Sequence, residues 1–360
     1  MLVIVKPVGN FCNLRCVYCF YSGLEQGRKK IMNFSVLEEL ISSLACLGDK
    51  KIVIIWHGGE PLLAGINFYK KAIELQNKFG EIVKFENLMQ TNATLINKDW
   101  IKFFKENNFG IGVSLDGVQT ANDTQRISAV HKSTFSKITK VLEMMKSNGL
   151  RFGLIQTIIK NNLPFVFDSQ LFFYEKLGLR SWNINFVDED SCLDGKQLGL
   201  SEAEILYAYE QLIKFWLSSE EDVVISELDN YVAASLGKRA CGCHYNGRCG
   251  SFCCVDYDGA VYPCDRICSL GKDDWGNLIS SKFSEIIFSD NAKIFRQKAA
   301  QFHEDCVDCK WKKHCNNGCV AMRAKNGKYR HCSSRKEVFE KINKIIKKNK
   351  QKGGDVCDSN

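Results

Sequence analysis

Three cysteines stand close together near the start of the chain, Cys12, Cys16 and Cys19, separated by three and then two residues. Thiolates at that spacing can meet at one metal centre. A [4Fe–4S] cluster is normally held by four cysteines, so a local set of three leaves one iron open to an outside ligand. A zinc site completed by a distant residue, or three unrelated thiols, would fit the same spacing. A denser field follows later, reading Cys243-x5-Cys249-x14-Cys264 and then Cys306-x2-Cys309-x5-Cys315-x3-Cys319-x12-Cys332. Eight cysteines divide into four and four, as two fully ligated clusters require; one or two structural zincs are the alternative. Cys46, Cys192 and Cys357 read as packing or tail residues. Cys241, Cys253, Cys254 and Cys268 crowd the second field and are alternative ligands, with Cys241 the main rival of Cys243.

Cysteine makes up 18 of the 360 residues. That is below the roughly 8–10% of a short secreted disulfide scaffold, so the thiols point to metal or catalysis in a reducing compartment. The segment before Lys6 has no basic stretch and no cleavage site, and a cytoplasmic protein is expected. The longest apolar runs, such as Ile52–Trp56, fall far short of the ~20 residues that span a bilayer, so no membrane contact is expected. With 45% hydrophobic residues and only four prolines the chain can bury a sizeable core. Its length suggests two domains, or one with an appendage. The net charge is +8, from 49 basic and 41 acidic residues. Iron-bound thiolates would offset part of it, so the charge is a poor argument for nucleic acid.

The elements that must position these cysteines are legible from periodicity. Leu2–Val5 reads as a strand leading into the first cysteine loop. Ser35-Val-Leu-Glu38 reads as a capping box starting a helix to about Cys46. Five further strand regions are expected at Lys51–Trp56, Val83–Met89, Gly110–Leu115, Arg151–Ile158 and Ser181–Phe186. Helices over Asn67–Lys78, Lys98–Asn107, Thr134–Asn148 and Pro164–Leu177 alternate with them. Six strand–helix alternations predict a parallel sheet with covering helices, curled into a full or partial barrel. In such folds the site lies at the strand C-termini, where Asn10–Cys19, His57–Pro61, Gln90–Asn92 and Ser114–Gly117 all fall. A second capping box, Ser201-Glu-Ala-Glu204, starts a helix to about Ser218 that is expected to bridge to the cysteine-dense part. The lysine-rich stretch Lys341–Lys352 reads as a helix fraying into a solvated tail.

Cys-x3-Cys-x2-Cys with Tyr18 before the third cysteine, after the first strand, resembles the radical S-adenosylmethionine (SAM) superfamily. His57-Gly58-Gly59-Glu60-Pro61 after the second strand resembles that superfamily's GGEP motif, which implies that backbone groups at Gly58 and Gly59 hold the amino group of SAM. Glycines permit such close approach, and Glu60 can balance an ammonium. Gln90-Thr91-Asn92 and Ser114-Leu115-Asp116-Gly117 resemble the family's QTNG and SLDG strand ends, with Ala93 where glycine is usual. The resemblance implies SAM contacts at Tyr18, Gln90, Asn92 and Ser114. Asn92 and Asp116 are equally suited to capping loops, and Gln90 to satisfying backbone groups. Arg126 in Asp123-Thr-Gln-Arg126 resembles a DxxR segment and suits either an ion pair or a ligand contact.

The second field is similar to a SPASM domain, the C-terminal extension of many radical SAM enzymes. That likeness implies two auxiliary [4Fe–4S] clusters, held by Cys243, Cys249, Cys264 and Cys319, and by Cys306, Cys309, Cys315 and Cys332. With the first it makes three clusters, with SAM as cosubstrate. The fold implied is a partial (βα)6 barrel of radical SAM type over 1–200, a helical bridge over 201–239, a SPASM domain over 240–340 and a basic tail over 341–360.

The pattern is similar to anaerobic sulfatase-maturating enzymes and to SPASM maturases of ribosomal peptides. In Tyr262-Pro263-Cys264-Asp265 the likeness implies that Asp265 is the base acting on the substrate; capping a turn or pairing with Arg266 is the plainer role. Sulfatase maturases commonly have glutamine before GGEP, where this chain has His57, a variant more familiar from peptide-crosslinking relatives. His57 either touches substrate or hydrogen-bonds within its loop. The activity implied is hydrogen abstraction from a residue of a polypeptide, giving a formylglycine-type oxidation or a crosslink, with an electron donor such as flavodoxin or ferredoxin as partner. The alternatives are a non-catalytic multi-cluster electron carrier, which has no need of a SAM shelf, and a radical SAM enzyme acting on a non-peptide substrate such as RNA, for which no RNA-binding appendage is evident.

Overall fold

A computed structural model describes residues 1–21, 30–187, 192–193, 196–269 and 271–354. Six strands run in chain order side by side and parallel: β1 (Leu2–Val5), β2 (Lys51–Trp56), β3 (Lys84–Thr91), β4 (Gly110–Ser114), β5 (Phe152–Ile158) and β6 (Ser181–Phe186). The hydrophobic alternation sets which way each strand faces. Val3, Val5, Ile52, Ile54 and Trp56 are buried against the covering helices, while Ile4, Ile55 and Leu88 line a cavity on the inner side. Helices Phe34–Ala45, Ile66–Asn77, Lys98–Glu106 and Phe135–Ser147 follow the first, second, third and fourth strands, as the periodicity predicts.

Two local expectations change. The helix after β1 starts at Phe34 with Asn33 in the capping position and no side-chain cap, so the Ser35–Glu38 box does not form. The stretch expected as one helix from Pro164 is in three parts: a tight 3-10 segment Lys160–Phe165, an α segment Val166–Leu171, and a wider last turn Phe172–Lys176. Pro164 sits in the tight part, where its missing N–H is tolerated. The box at Ser201 does form: Ser201 Oγ accepts from Glu204 N–H, and Glu204 Oε2 accepts from Ser201 N–H at 2.8 Å.

The short strands β7 (Cys192–Leu193) and β8 (Lys196–Gln197) form a separate pair, and β9 (Val224–Ile225) extends the large sheet beyond β6. At its other edge β10 (Cys253–Val255) lies parallel to β1, followed by antiparallel β11 (Ala260–Tyr262) and β12 (Gly276–Asn277). The cysteine-dense segment therefore contributes strands to the same ten-stranded sheet as the barrel. Helix Glu202–Ser218 packs on both Val166–Leu171 and the C-terminal helix Cys332–Gly354, with Lys341 Nζ 2.6 Å from Glu210. No helix among the described residues is long and apolar enough to cross a membrane.

Candidate active site

The first cysteine loop is suspended between two segments. Arg15 and Val17 N–H groups donate to the carbonyls of Ile127 and Gln125 at 2.8 and 2.9 Å, and Arg15 Nη1 donates to the Cys12 and Leu14 carbonyls. On the other side Gly59 N–H donates to Gly9 O at 2.8 Å and Glu60 N–H to Phe11 O at 2.9 Å. The close approach that the GGEP glycines permit is thus first of all to this loop. A Cβ on Gly59 would lie 2.0 Å from Phe11 O, and one on Gly58 (φ +107°) 2.7 Å from Gly9 O.

Cys12, Cys16 and Cys19 lie near enough for their charges to be felt, Cys16 and Cys19 by Cys12 and Cys19 by Cys16. Burial pushes Cys12 up to about 12, aided by Glu60 and by the other two thiols. Burial likewise pushes Cys16 to about 12 against the pull of Arg126. A water-poor pocket in which each thiol raises its neighbour suits a bound cation, which would reverse the penalty and hold the sulfurs as thiolates. This donor set fits an iron–sulfur cluster.

Glu60 departs from expectation. Its carboxylate is fully buried, accepting from Thr91 Oγ1 at 2.7 Å, Asn92 N–H at 2.8 Å and Leu62 N–H at 3.1 Å. It ties the end of β3 to the Gly58–Gly59 turn. Asn92 has its side-chain oxygen on Thr94 and its amide 2.9 Å from Asn13 Oδ1 and 3.8 Å from Cys12 Sγ, so it serves loop and cluster pocket together. Gln90 Nε2 donates to Ser114 Oγ at 2.9 Å, across Gly112. Ala93 adopts φ +62°, the conformation for which glycine is favoured at that place.

Tyr18, Asp116 and Arg126 form one buried network. Tyr18 Oη donates to Asp116 Oδ2 at 2.8 Å, Arg126 Nε reaches the same oxygen at 3.2 Å, and Arg126 Nη2 donates to Tyr18 Oη. Arg126 is therefore an ion-pair residue, its partner being Asp116 rather than the nearby Asp123, whose carboxylate accepts from the Thr134 and Phe135 N–H groups at the start of a helix.

Asp265 begins a short helix, Asp265–Ser269, and turns toward β2 instead of pairing with Arg266. Its Oδ1 accepts from Tyr21 Oη at 2.5 Å and its Oδ2 lies 3.5 Å from His57 Nδ1. Burial works against its ionisation, but His57, the Lys6 ammonium and the Tyr21 hydroxyl outweigh it and bring the carboxyl down to about 2. Burial would lower His57, and the Asp265 carboxylate more than reverses this. Lys6 and Tyr21 are site residues that motif reading missed. Lys6 is fully buried, its Nζ 3.1 Å from Asn10 Oδ1, 3.3 Å from Cys268 Sγ and 3.7 Å from Asp256 Oδ2, with the Tyr21 ring 4.5 Å away. Its signal in the sequence is a lone charge directly after the first strand, where barrels carry functional groups.

His57, Gln90 and Asp265 line one end of a cavity of about 600 Å³ on the inner face of the sheet. Around Cys264, which precedes Asp265, the second cysteine field separates into two groups. Cys243 hydrogen-bonds with Cys249 and feels Cys319 and Cys264; that bond lowers Cys249 to about 6 despite burial. Cys306 feels Cys315 and Cys309, and Cys332 feels Cys315 and Cys306, with Arg335 Nη1 3.8 Å from Cys315 Sγ. Of the rivals, Cys241 is exposed, Cys253 and Cys254 are buried in β10, and Cys268 is buried beside Lys6; Cys46, expected as a packing or tail residue, is exposed. The side chain of Cys192 and the whole of Cys357 lie outside the described residues.

Comparison with known proteins agrees with this geometry. Residues 7–162 match the radical SAM superfamily and residues 243–310 match the SPASM iron–sulfur cluster-binding domain. The chain is 31% identical over 360 residues to a cysteine-type anaerobic sulfatase-maturating enzyme of Clostridium perfringens, covering 94% of this chain and 95% of that protein. It is 29% identical to the serine-type enzyme of Bacteroides thetaiotaomicron, covering 90% and 83%. The solved structure of native anSMEcpe with bound AdoMet superposes with a TM-score of 0.85 at 28% identity, covering 96% of this chain and 98% of that one. The chain belongs to the radical SAM superfamily, in the SPASM-bearing group that includes the anaerobic sulfatase-maturating enzymes.

Proposed function

We propose that this chain is a radical SAM/SPASM oxidoreductase that removes hydrogen from a residue of a polypeptide substrate. The observation that carries this reading is the Asp265 carboxylate. It is held ionised by His57, Lys6 and Tyr21 at the wall of the cavity, directly after a cysteine of the second field. Cys12, Cys16 and Cys19 would hold a [4Fe–4S] cluster with one open iron, and the two four-cysteine groups would hold two auxiliary clusters. When bound, the clusters and SAM supply a 5′-deoxyadenosyl radical and accept the second electron.

The chain's own part is placement and proton transfer. The Gly58–Gly59 shelf presents backbone groups to the ammonium of SAM, Glu60 and Asn92 fix the shelf and the cysteine loop to β3, and Gln90 and Ser114 face the ligand from adjacent strands. Tyr18, through Asp116 and Arg126, holds the loop from the far side. Asp265 takes the proton that the substrate must lose after hydrogen abstraction, and an ionised carboxylate is the form that can do so. Likeness along nearly the whole chain to the sulfatase maturases favours oxidation of a cysteine or serine side chain over crosslinking. A solved relative, native anSMEcpe, holds AdoMet and the Cp18Cys peptide, which supports a peptide substrate here. A flavodoxin or ferredoxin as reductant and a cytoplasmic location complete the proposal.

The test is anaerobic reconstitution of the full chain with iron, sulfide, SAM and a reductant. About twelve irons per chain are expected for three cubane clusters, with 5′-deoxyadenosine released in the presence of peptide. Replacing Cys12, Cys16 and Cys19 together should abolish that product. Failure of the fully loaded protein to cleave SAM with any cysteine- or serine-containing peptide would refute the assignment.

A further inference from the structure

The cavity has a second end that the chemistry above does not use. Moving down the strands from Gln90, the inner face of β4 and the start of β5 present glycine. Gly112 lies level with Gln90 and with Gly153, and Gly110 lies level with Leu88. Side chains at 112 and 110 would take the space that the ends of Gln90 and Leu88 now fill. A Cβ on Gly112 would stand 2.2 Å from Gln90 Oε1, and one on Gly110 2.6 Å from Leu88 Cδ2. The floor beyond the reacting end is bare backbone on β4 and β5, beside the apolar side chains of Ile4, Ile55 and Leu88 on β1, β2 and β3.

At the mouth of this trough stands Arg151. The pairing of Ile111 with Phe152 sets it opposite Gly110. It lines the cavity, is exposed, and has no carboxylate partner among the described residues. It is also the one permanent cation among the described lining residues, while Asp265 is the one carboxylate, at the other end. A guanidinium offered to a partly apolar trough is a site for a carboxylate, which it can bind through two parallel hydrogen bonds.

Resting on the peptide-modifying reading above, we propose that the glycine-floored trough is a peptide subsite in which Arg151 binds an acidic side chain of the substrate. Arg151 is two residues along β5 from Gly153, which is level with Gln90, a drop of about 7 Å at the rise of a strand. An extended peptide covers that drop in about two residues, and the lean of the arginine side chain along the strand adds up to about one more. The acidic residue thus falls about two or three positions from the residue that is modified.

The experiment uses the reconstituted full chain with SAM and two fluorescein-labelled probes. One is a short Gly-Ala peptide centred on cysteine, with glutamate at the second and third positions on either side. The other has glutamine at the same places. Anisotropy is expected to show the glutamate peptide binding about tenfold more tightly, a charge-assisted contact discounted for solvent exposure. Arg151→Gln should bring the ratio to about one, and Arg151→Lys should keep part of it. Equal affinity of wild type for the two probes, absence of binding by both included, overturns the inference, as does an Arg151→Gln variant that keeps the preference. A variant that instead loses affinity for SAM alone assigns Arg151 to the cosubstrate and overturns it too. Release of 5′-deoxyadenosine by the same preparation is scored separately, so failure of the enzyme reading and failure of this subsite are told apart.

Discussion

Replacing Gly59 by alanine tests how the shelf and the first cysteine loop are coupled. The added Cβ would sit 2.0 Å from Phe11 O and 2.7 Å from the Asn10 carbonyl carbon. Both are backbone atoms, so no side chain can swing aside. Relief to van der Waals separation requires the two segments to part by about 1.5 Å. That movement breaks the bonds from Gly59 N–H to Gly9 O and from Glu60 N–H to Phe11 O, worth about 1–3 kcal/mol together. Gly59 does not have a positive φ, so the clash alone carries the effect. Misplacement of a reacting group by about 1 Å costs on the order of 100-fold in rate, and the loss in 5′-deoxyadenosine formation should be at least that large. The three cysteines remain on their loop, so iron content should stay close to wild type. Gly80→Ala is the control, its nearest neighbour being Asn77 O at an ordinary 3.5 Å. A Gly59→Ala enzyme that cleaves SAM at the wild-type rate would show that the shelf and loop are not coupled as described.

Arg126→Ala leaves the Asp116 carboxylate buried without its cation, and thermal or urea unfolding should register a loss of about 3–5 kcal/mol; a change below about 1 kcal/mol would contradict the network. Cys243→Ala should reduce bound iron by about four per chain, while Cys241→Ala should leave the iron count unchanged; the reverse result would exchange the two in the ligand set. Ser201→Ala removes the one side-chain cap of a long helix, and unfolding should show a cost of about 1 kcal/mol.

Much of the site was legible because cluster ligands and glycine turns are local in sequence. Cys12, Cys16 and Cys19 lie on one loop, and His57–Pro61 follows its strand directly. The six parallel strands were legible from hydrophobic alternation, since the outer face of each meets helices and the inner face does not. Edges were harder. No local pattern says that Cys253–Val255, three residues long, will pair with Leu2–Val5, because strand pairing across such a distance is chosen by what else can cover an open sheet edge. The Ser35 box failed because Asn33 already occupied the start of the helix.

The roles of individual polar groups were decided by packing. The sequence by itself put three thiols on one loop, eight more in a dense later field, and glycines after the second strand. Only the tertiary structure decided that Glu60 accepts from Thr91 and Asn92 at the end of β3, that Arg126 pairs with Asp116, and that Lys6, Tyr21 and His57 gather about Asp265. The reason is physical: a buried charge must find a partner wherever the fold brings one, and for Asp265 the partners Tyr21 and His57 come from segments more than 200 residues away in the chain.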